Sequence, residues 1–206
     1  MTDFPDMLVL RHGETEWNRM GRIQGNQDSA LTDLGRWQAQ QQGEILAGFG
    51  IDGWHWVSSP RGRALTTAQL ASGREVIDTD SRLVEIDVGD WTGATRARIR
   101  AARPDLAGKG PLAWYDNAPG GEGIATLAAR VGAFLGALSG PTVIVTHGIT
   151  SRILRCLATG QSFGNYAGVS GGQGVVYHLK GGVSRLLVPA RCPSAHQPLS
   201  KPCIPR

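Results

Sequence analysis

The alternation of apolar and polar positions changes period several times along the 206 residues. "MLVL" (7–10) and "TVIVT" (142–146) are short continuous apolar runs, the pattern of strands covered on both faces of a parallel sheet. "WHWVSS" (54–59) reads as another strand and "EVID" (75–78) as a shorter one. Helical stretches lie between them. Thr32 is placed to cap a helix reaching about Ala47, and Pro60 suits the first turn of a helix running to about Ala71. Ile124, Leu127, Val131, Phe134 or Leu135, and Leu138 share one helical face after the turn-forming "APGGEG". A further helix is predicted from Gly148 to Leu157, and 174–189 reads as a hairpin turning at Gly181-Gly182. Strands alternating with helices predict a three-layer α/β fold, a mainly parallel central sheet with helices on both faces. Residues 1–190 are expected to form one domain. The tail 191–206, with four prolines and little apolar periodicity, is expected to be loosely attached.

Composition narrows this picture. With 41% hydrophobic residues, a chain of this size buries a substantial core. Residues 131–151 carry no formal charge and are long enough to imitate a membrane span. Ser139-Gly140-Pro141 interrupts them, which predicts a buried helix followed by a buried strand. "MTDFPDM" lacks the basic and apolar regions of a secretory signal. Cys156, Cys192 and Cys203 are too scattered for a disulfide framework or a CxxC site, so the expected compartment is the cytoplasm. The net charge is +4, and all but three of the 21 basic residues are arginine. Guanidinium groups grip phosphate or carboxylate at two points, which favours a small anionic ligand. The basic residues are scattered and form no aromatic-basic motif, so neither nucleic acid nor a membrane is expected as a partner.

Candidate chemistry lies where two apolar runs end. "LVLRHG" and "VIVTHG" each deliver a histidine and a glycine just past a predicted strand. In open α/β sheets, ligands bind outside the carboxyl ends of the strands. One histidine there reads as a structural hydrogen-bonding group; two at equivalent junctions invite a common explanation.

"LRHGETEWN", "GRIQGNQDSALTDLGRWQA", "SSPRGRALTTA", "RLVEIDVGDWTG", "APGGEG" and "VTHG" follow in that order from residue 8 to about 150. Through them the chain resembles the histidine phosphatase superfamily, which includes the cofactor-dependent phosphoglycerate mutases. The resemblance implies that His12 is the nucleophile that becomes phosphorylated, that Arg11 flanks it, and that His147 contacts the transferred phosphoryl group. A neutral imidazole whose other nitrogen is tied to backbone is a competent nucleophile, and Gly13 is expected to let backbone and substrate approach closely. The resemblance further places Arg63 in the phosphate pocket, with Arg61 at its rim or in solvent. Asn18 is implied as a hydrogen-bond donor to phosphoryl oxygens, with Gln24 and Gly25 near the substrate. Glu85 takes the position of the general acid; if 85–87 is a strand, alternation sends Asp87 to the same face as a competitor. No metal and no cofactor are implied.

Two positions depart from the pattern common in relatives: Thr92 in place of glutamate in Trp-Glu-Gly, and Gly123 in place of serine in Gly-Glu-Ser. The second removes an expected helix cap. The segment 86–122 is short and has no adjacent arginine pair of the mutase kind, so a phosphomonoesterase acting on small phosphorylated metabolites is the first expectation. A phosphoglycerate mutase is the second, and a noncatalytic phospho-ligand-binding domain the third. Arg96, Arg100 and Arg103 fall on one face of a predicted helix, either as a solvated surface or to steer anions.

Overall fold

A computed structural model describes residues 4–106, 108–110 and 112–188. Six strands, β1 (Met7–Arg11), β2 (His55–Ser58), β3 (Asp78–Thr79), β4 (Thr142–Thr146), β5 (Val176–Lys180) and β6 (Val183–Leu187), form one sheet in the order β3-β2-β4-β1-β5-β6. β1 to β4 run parallel, whereas β5 is antiparallel to β1 and to β6. Helices α2 (Asp33–Ala47) and α3 (Gly62–Ser72) cover one face; α5 (Gly123–Leu135) and α6 (Gly148–Ala158) cover the other. Helices α1 (Glu16–Arg19) and α4 (Arg96–Ala102) are short and lie in connections. This is the expected three-layer arrangement.

Alternation within the strands feeds both layers. Leu8, Leu10, Val143, Val145 and Trp56 pack with Leu46, Ala64 and Ala68 of α2 and α3. Val9, Ile144 and Val57 join Leu127, Val131, Ile153 and Leu154 of α5 and α6. Each fully buried aliphatic side chain is worth about 1.5–3 kcal/mol relative to exposure, which explains why β1 and β4 have no polar face. The region 131–151 resolves into the end of α5 followed by β4. Among the described residues no helix is long and apolar enough to cross a membrane.

Local signals set several boundaries. Thr32 caps α2 by accepting from the Gly35 amide. Gly181 and Gly182 both have positive φ, 56° and 74°, as a two-residue turn matched to strand twist requires. α3 starts two residues later than expected, with Arg61 as its N-cap. The reason is that the Ser59 amide still bonds the Val145 carbonyl, so the chain remains extended past β2. β3 is shorter than "EVID" and shifted toward its end, because Val76 is exposed and only Ile77 packs inward. Residues 84–88 are not a strand, so the alternation argument pairing Glu85 with Asp87 does not apply. The helix that lost its serine cap is served from elsewhere: Asp116 Oδ1 accepts from the Ile124 amide. The tail 191–206 lies outside the described residues.

Gly13 has a packing reason to be glycine that the sequence did not suggest. A Cβ there would lie 2.1 Å from the Gly35 carbonyl oxygen, and one on Gly35 would lie 2.0 Å from that of Glu14. The two glycines let the chain leaving β1 lie directly on α2.

Candidate active site

β1, β2 and β4 are neighbours and parallel, so their carboxyl ends emerge side by side. The His12 amide bonds the Thr146 carbonyl at 3.0 Å, and the Ser59 amide bonds that of Val145 at 2.9 Å. Both residues thus extend the ladder by one position. His147 follows β4 directly and is the N-cap residue of α6. The rings of His12 and His147 end 5.2 Å apart between centroids.

His12 is fixed at both nitrogens. Its Nδ1 lies 2.7 Å from the Gly13 carbonyl oxygen, which can only accept, so the proton sits on Nδ1 and the lone pair on Nε2. Arg63 Nε donates toward Nε2 at 3.4 Å. Burial, then the guanidinium groups of Arg63 and Arg11, hold the His12 pKa well below the ordinary histidine value, and the ring is neutral. His147 is fully buried, with Nε2 hydrogen-bonded to Ser59 Oγ at 2.8 Å and Nδ1 left without a partner. Its pKa is also pushed well down, by burial first and then by Arg63 and His12.

The cations are held by backbone and carboxylate. Arg63 is 2% exposed and donates to the carbonyls of Gly25 and Gln27 and to Asp28 Oδ1, the last at 3.1 Å. Arg11, at the end of β1, keeps a buried Nε without a partner. Burial lowers the Arg11 pKa and nearby Glu85 opposes that shift. Gly148 makes room for this pair, since a Cβ there would lie 3.3 Å from Arg11 Cζ and 3.5 Å from Glu85 Oε2.

Glu85 sits against the N-terminus of α6. Oε1 accepts from the Ile86 amide, the Thr150 amide and the Thr150 hydroxyl, whereas Oε2 accepts from the Ile149 amide alone. Oε2, on the Arg11 side, therefore keeps the freer lone pair. Arg11, His12, Arg63 and Glu85 line a cleft of about 300 Å³ together with Asn18, Gln24 and Gly25.

A model of the histidine phosphatase superfamily (branch 1) matches residues 7–185. The chain belongs to the histidine phosphatase superfamily. An acid phosphatase of Mycobacterium tuberculosis is 38% identical over 151 residues, 71% of either chain. A probable phosphoglycerate mutase of Erwinia tasmaniensis is 36% identical over 163 residues, 72% of either chain. The solved structure of a mycobacterial glucosyl-3-phosphoglycerate phosphatase with VO3 superposes with a TM-score of 0.73 at 31% identity, covering 91% of this chain and 100% of that one. This histidine phosphatase thus brings Arg11, His12, Asn18, Gln24, Gly25, Arg63 and Glu85 to one cleft, with the ring of His147 packed next to that of His12.

The competing residues lie elsewhere. Arg61 caps α3 and its guanidinium bonds Asn26 Oδ1. Asp87 accepts from the Gly89 amide in a turn, while its own amide donates to Glu122. Asn18 Oδ1 already accepts from the Thr15 amide and from Gln173, so its free capacity is that of a donor. Gln24 donates to Thr15 Oγ1 at 2.8 Å and leaves Oε1 buried without a partner. Among the described residues no group of three or more His, Cys, Asp and Glu is placed to hold a metal ion.

Sequence reasoning did not single out Ser59, Asp28, Tyr115, Arg22 or Gln173. Gln173 donates to the His12 carbonyl and to Asn18 Oδ1, and it lines the cleft. Its only sequence signal is a polar side chain inside the glycine-rich "SGGQG", a weak mark of a loop that approaches a site closely.

Proposed function

We propose that this histidine phosphatase hydrolyses phosphate monoesters of small metabolites in two displacements through a phosphorylated His12. The observation that carries the reading is the oriented, neutral His12, with Nδ1 tied to Gly13 and Nε2 facing Arg63 in the cleft. In the first step the Nε2 lone pair attacks phosphorus, the P–O ester bond breaks, and the departing oxygen takes a proton from Glu85 Oε2. In the second, Glu85 takes a proton from water, whose oxygen attacks phosphorus as the P–N bond breaks, releasing inorganic phosphate and restoring His12. Arg11, Arg63, the Asn18 amide and His147 stabilise charge on the equatorial oxygens. Such preorganised donors typically contribute a hundredfold or more each. Gln24 and Gly25 line the substrate side. The scattered cysteines favour the cytoplasm as the place of action.

One feature supports hydrolysis over mutase action: the segment 86–122 has no adjacent arginine pair. The similar proteins include an acid phosphatase and a glucosyl-3-phosphoglycerate phosphatase as well as a probable phosphoglycerate mutase. The test is rapid quenching of turnover. An acid-labile, base-stable phosphate is expected on His12, absent from His12→Ala protein, with inorganic phosphate as the dominant product when 3-phosphoglycerate is offered. Faster accumulation of 2-phosphoglycerate refutes the hydrolase assignment, and label on any other residue refutes the mechanism.

A further inference from the structure

Asn18 helps a phosphoryl group only if its amide presents nitrogen, not oxygen, to the cleft, and the two ends of a side-chain amide differ in little besides their hydrogen bonds. Two partners set its orientation. The Thr15 amide can only donate, so the atom it meets at 3.3 Å is Asn18 Oδ1. Gln173 Nε2 donates to the same oxygen at 3.1 Å and to the His12 carbonyl at 3.2 Å. That carbonyl can only accept, which fixes the Gln173 amide in its turn. If the Asn18 amide turned over, its nitrogen would face two donors. Asn18 Nδ2 is therefore left over as a donor, in a side chain that lines the cleft.

The segment that carries Gln173, between α6 and β5, is anchored on either side by buried side chains with no part in the chemistry above. Arg155, 3% exposed and 3.7 Å above the centre of the Tyr177 ring, donates to the Ser170 carbonyl. Gln42 of α2, fully buried, divides its amide between the carbonyls of Val175 and Arg11, at 2.9 and 3.0 Å. The consecutive carbonyls of Arg11 and His12 thus each receive a glutamine amide, and Gln173 lies between two fixed points. Resting on the reading of Asn18 as a donor to phosphoryl oxygens, we propose that Gln173 is a positioning residue that acts through Asn18, holding Nδ2 toward the phosphoryl group before substrate arrives. Both N–H bonds of Gln173 are engaged by His12 and Asn18, so it brings no donor of its own. A donor fixed in advance has little to reorganise as charge develops on the equatorial oxygens. A donor free to turn would present Oδ1 to those oxygens part of the time.

A double-substitution cycle tests this. Gln173→Leu keeps the bulk of the side chain and removes both hydrogen bonds, whereas Asn18→Ala removes the donor itself. Two quantities are measured on each protein and on the double variant: kcat/KM for p-nitrophenyl phosphate, and the dissociation constant of orthovanadate, a five-coordinate mimic of the transferring group, by calorimetry. Asn18→Ala is expected to lower kcat/KM about a hundredfold, as loss of one fixed donor does. Gln173→Leu is expected to lower it about tenfold, chiefly in kcat, because the donor remains but is misplaced. In the Asn18→Ala background the same substitution should cost less than about twofold, and vanadate affinity should show the same coupling. Gln42→Met loosens the same segment, but its lost bonds go to Arg11 and Val175 and not to Asn18, so its cost should be the same with Asn18 and without it. Gln173→Leu without effect, an undiminished effect in the Asn18→Ala background, or an equal coupling of Gln42 to Asn18 overturns the proposal. If Gln173→Leu does not fold, Gln173→Ala, which admits water at the His12 carbonyl, carries the same cycle. Absence of p-nitrophenyl phosphate hydrolysis by the wild type counts against the phosphomonoesterase reading instead, and the vanadate cycle still decides the role of Gln173.

Discussion

A histidine that attacks phosphorus must be unprotonated, and the fold that keeps His12 neutral leaves a thermodynamic trace. His12 is 3% exposed, His147 is fully buried, and both have pKa values well below the ordinary one, burial being the first cause in each. In the unfolded chain each histidine titrates near pH 6.5. Below that pH the unfolded chain binds protons that the folded protein refuses, so stability is intact above about pH 6.5 and falls as the pH drops. Between about pH 7.5 and about pH 5.5 each such histidine costs about 1.4 kcal/mol, provided its folded pKa stays below the lower limit. The pair therefore costs nearly 3 kcal/mol, a large share of an ordinary domain's stability.

Titrating carboxylates contribute to the same pH range, so the informative quantity is a difference between two proteins. Asparagine at position 12 retains a side-chain N–H for the Gly13 carbonyl and removes one titrating ring. Urea unfolding of wild type and His12→Asn at the two pH values should show the variant losing about 1.4 kcal/mol less on acidification. Equal losses would refute a neutral, desolvated His12. The same depression predicts that protonation of His12 does not set an acidic limb near pH 6.5 in the kcat/KM profile.

Other substitutions separate neighbouring roles. Arg63→Ala should lower kcat/KM at least a hundredfold and Arg61→Ala only severalfold, measured on an aryl phosphate; equal effects would mean that the two cations share the phosphoryl group. Glu85→Gln should cripple esters of alkyl alcohols while largely sparing p-nitrophenyl phosphate, whose leaving group needs little protonation; equal losses would remove Glu85 from the acid role. Gly13→Ala should lose more than about 2 kcal/mol in urea unfolding, because its methyl group meets a carbonyl oxygen of α2 and not a flexible side chain. A near-neutral result would show that the contact between β1 and α2 relaxes easily.

Periodicity revealed the sheet because β1 and β4 are covered on both faces, a condition that leaves no choice of residue type except apolar. It was less informative where packing is one-sided or irregular. The helix through 33–47 was recognised from Thr32 although Gln42, on its buried side, spends its amide on the carbonyls of Arg11 and Val175, partners far away in sequence. Glu85 stood out in sequence, but not its setting, since three of its four donors come from α6, more than sixty positions later. Gln173 lies 161 positions from the carbonyl it bonds, and no local pattern carries such a pairing.

The motif "RIQGNQD" shows most directly how a sequence signal can be correct in place and incomplete in meaning. The expectation from sequence covers Gln24 and Gly25 as cleft-lining residues, but not what the backbone around them does. The carbonyls of Gly25 and Gln27 and the carboxylate of Asp28 fix the Arg63 guanidinium from one side, and Gly25 adopts φ 50° with no room for a Cβ against Val88. A cation with one orientation before substrate arrives has little left to reorganise during phosphoryl transfer, and that is where electrostatic stabilisation is most effective. On the proposed mechanism the glycine is tied to the reaction through Arg63, and a side chain at position 25 is expected to act on the rate by moving the carbonyl on which that arginine rests.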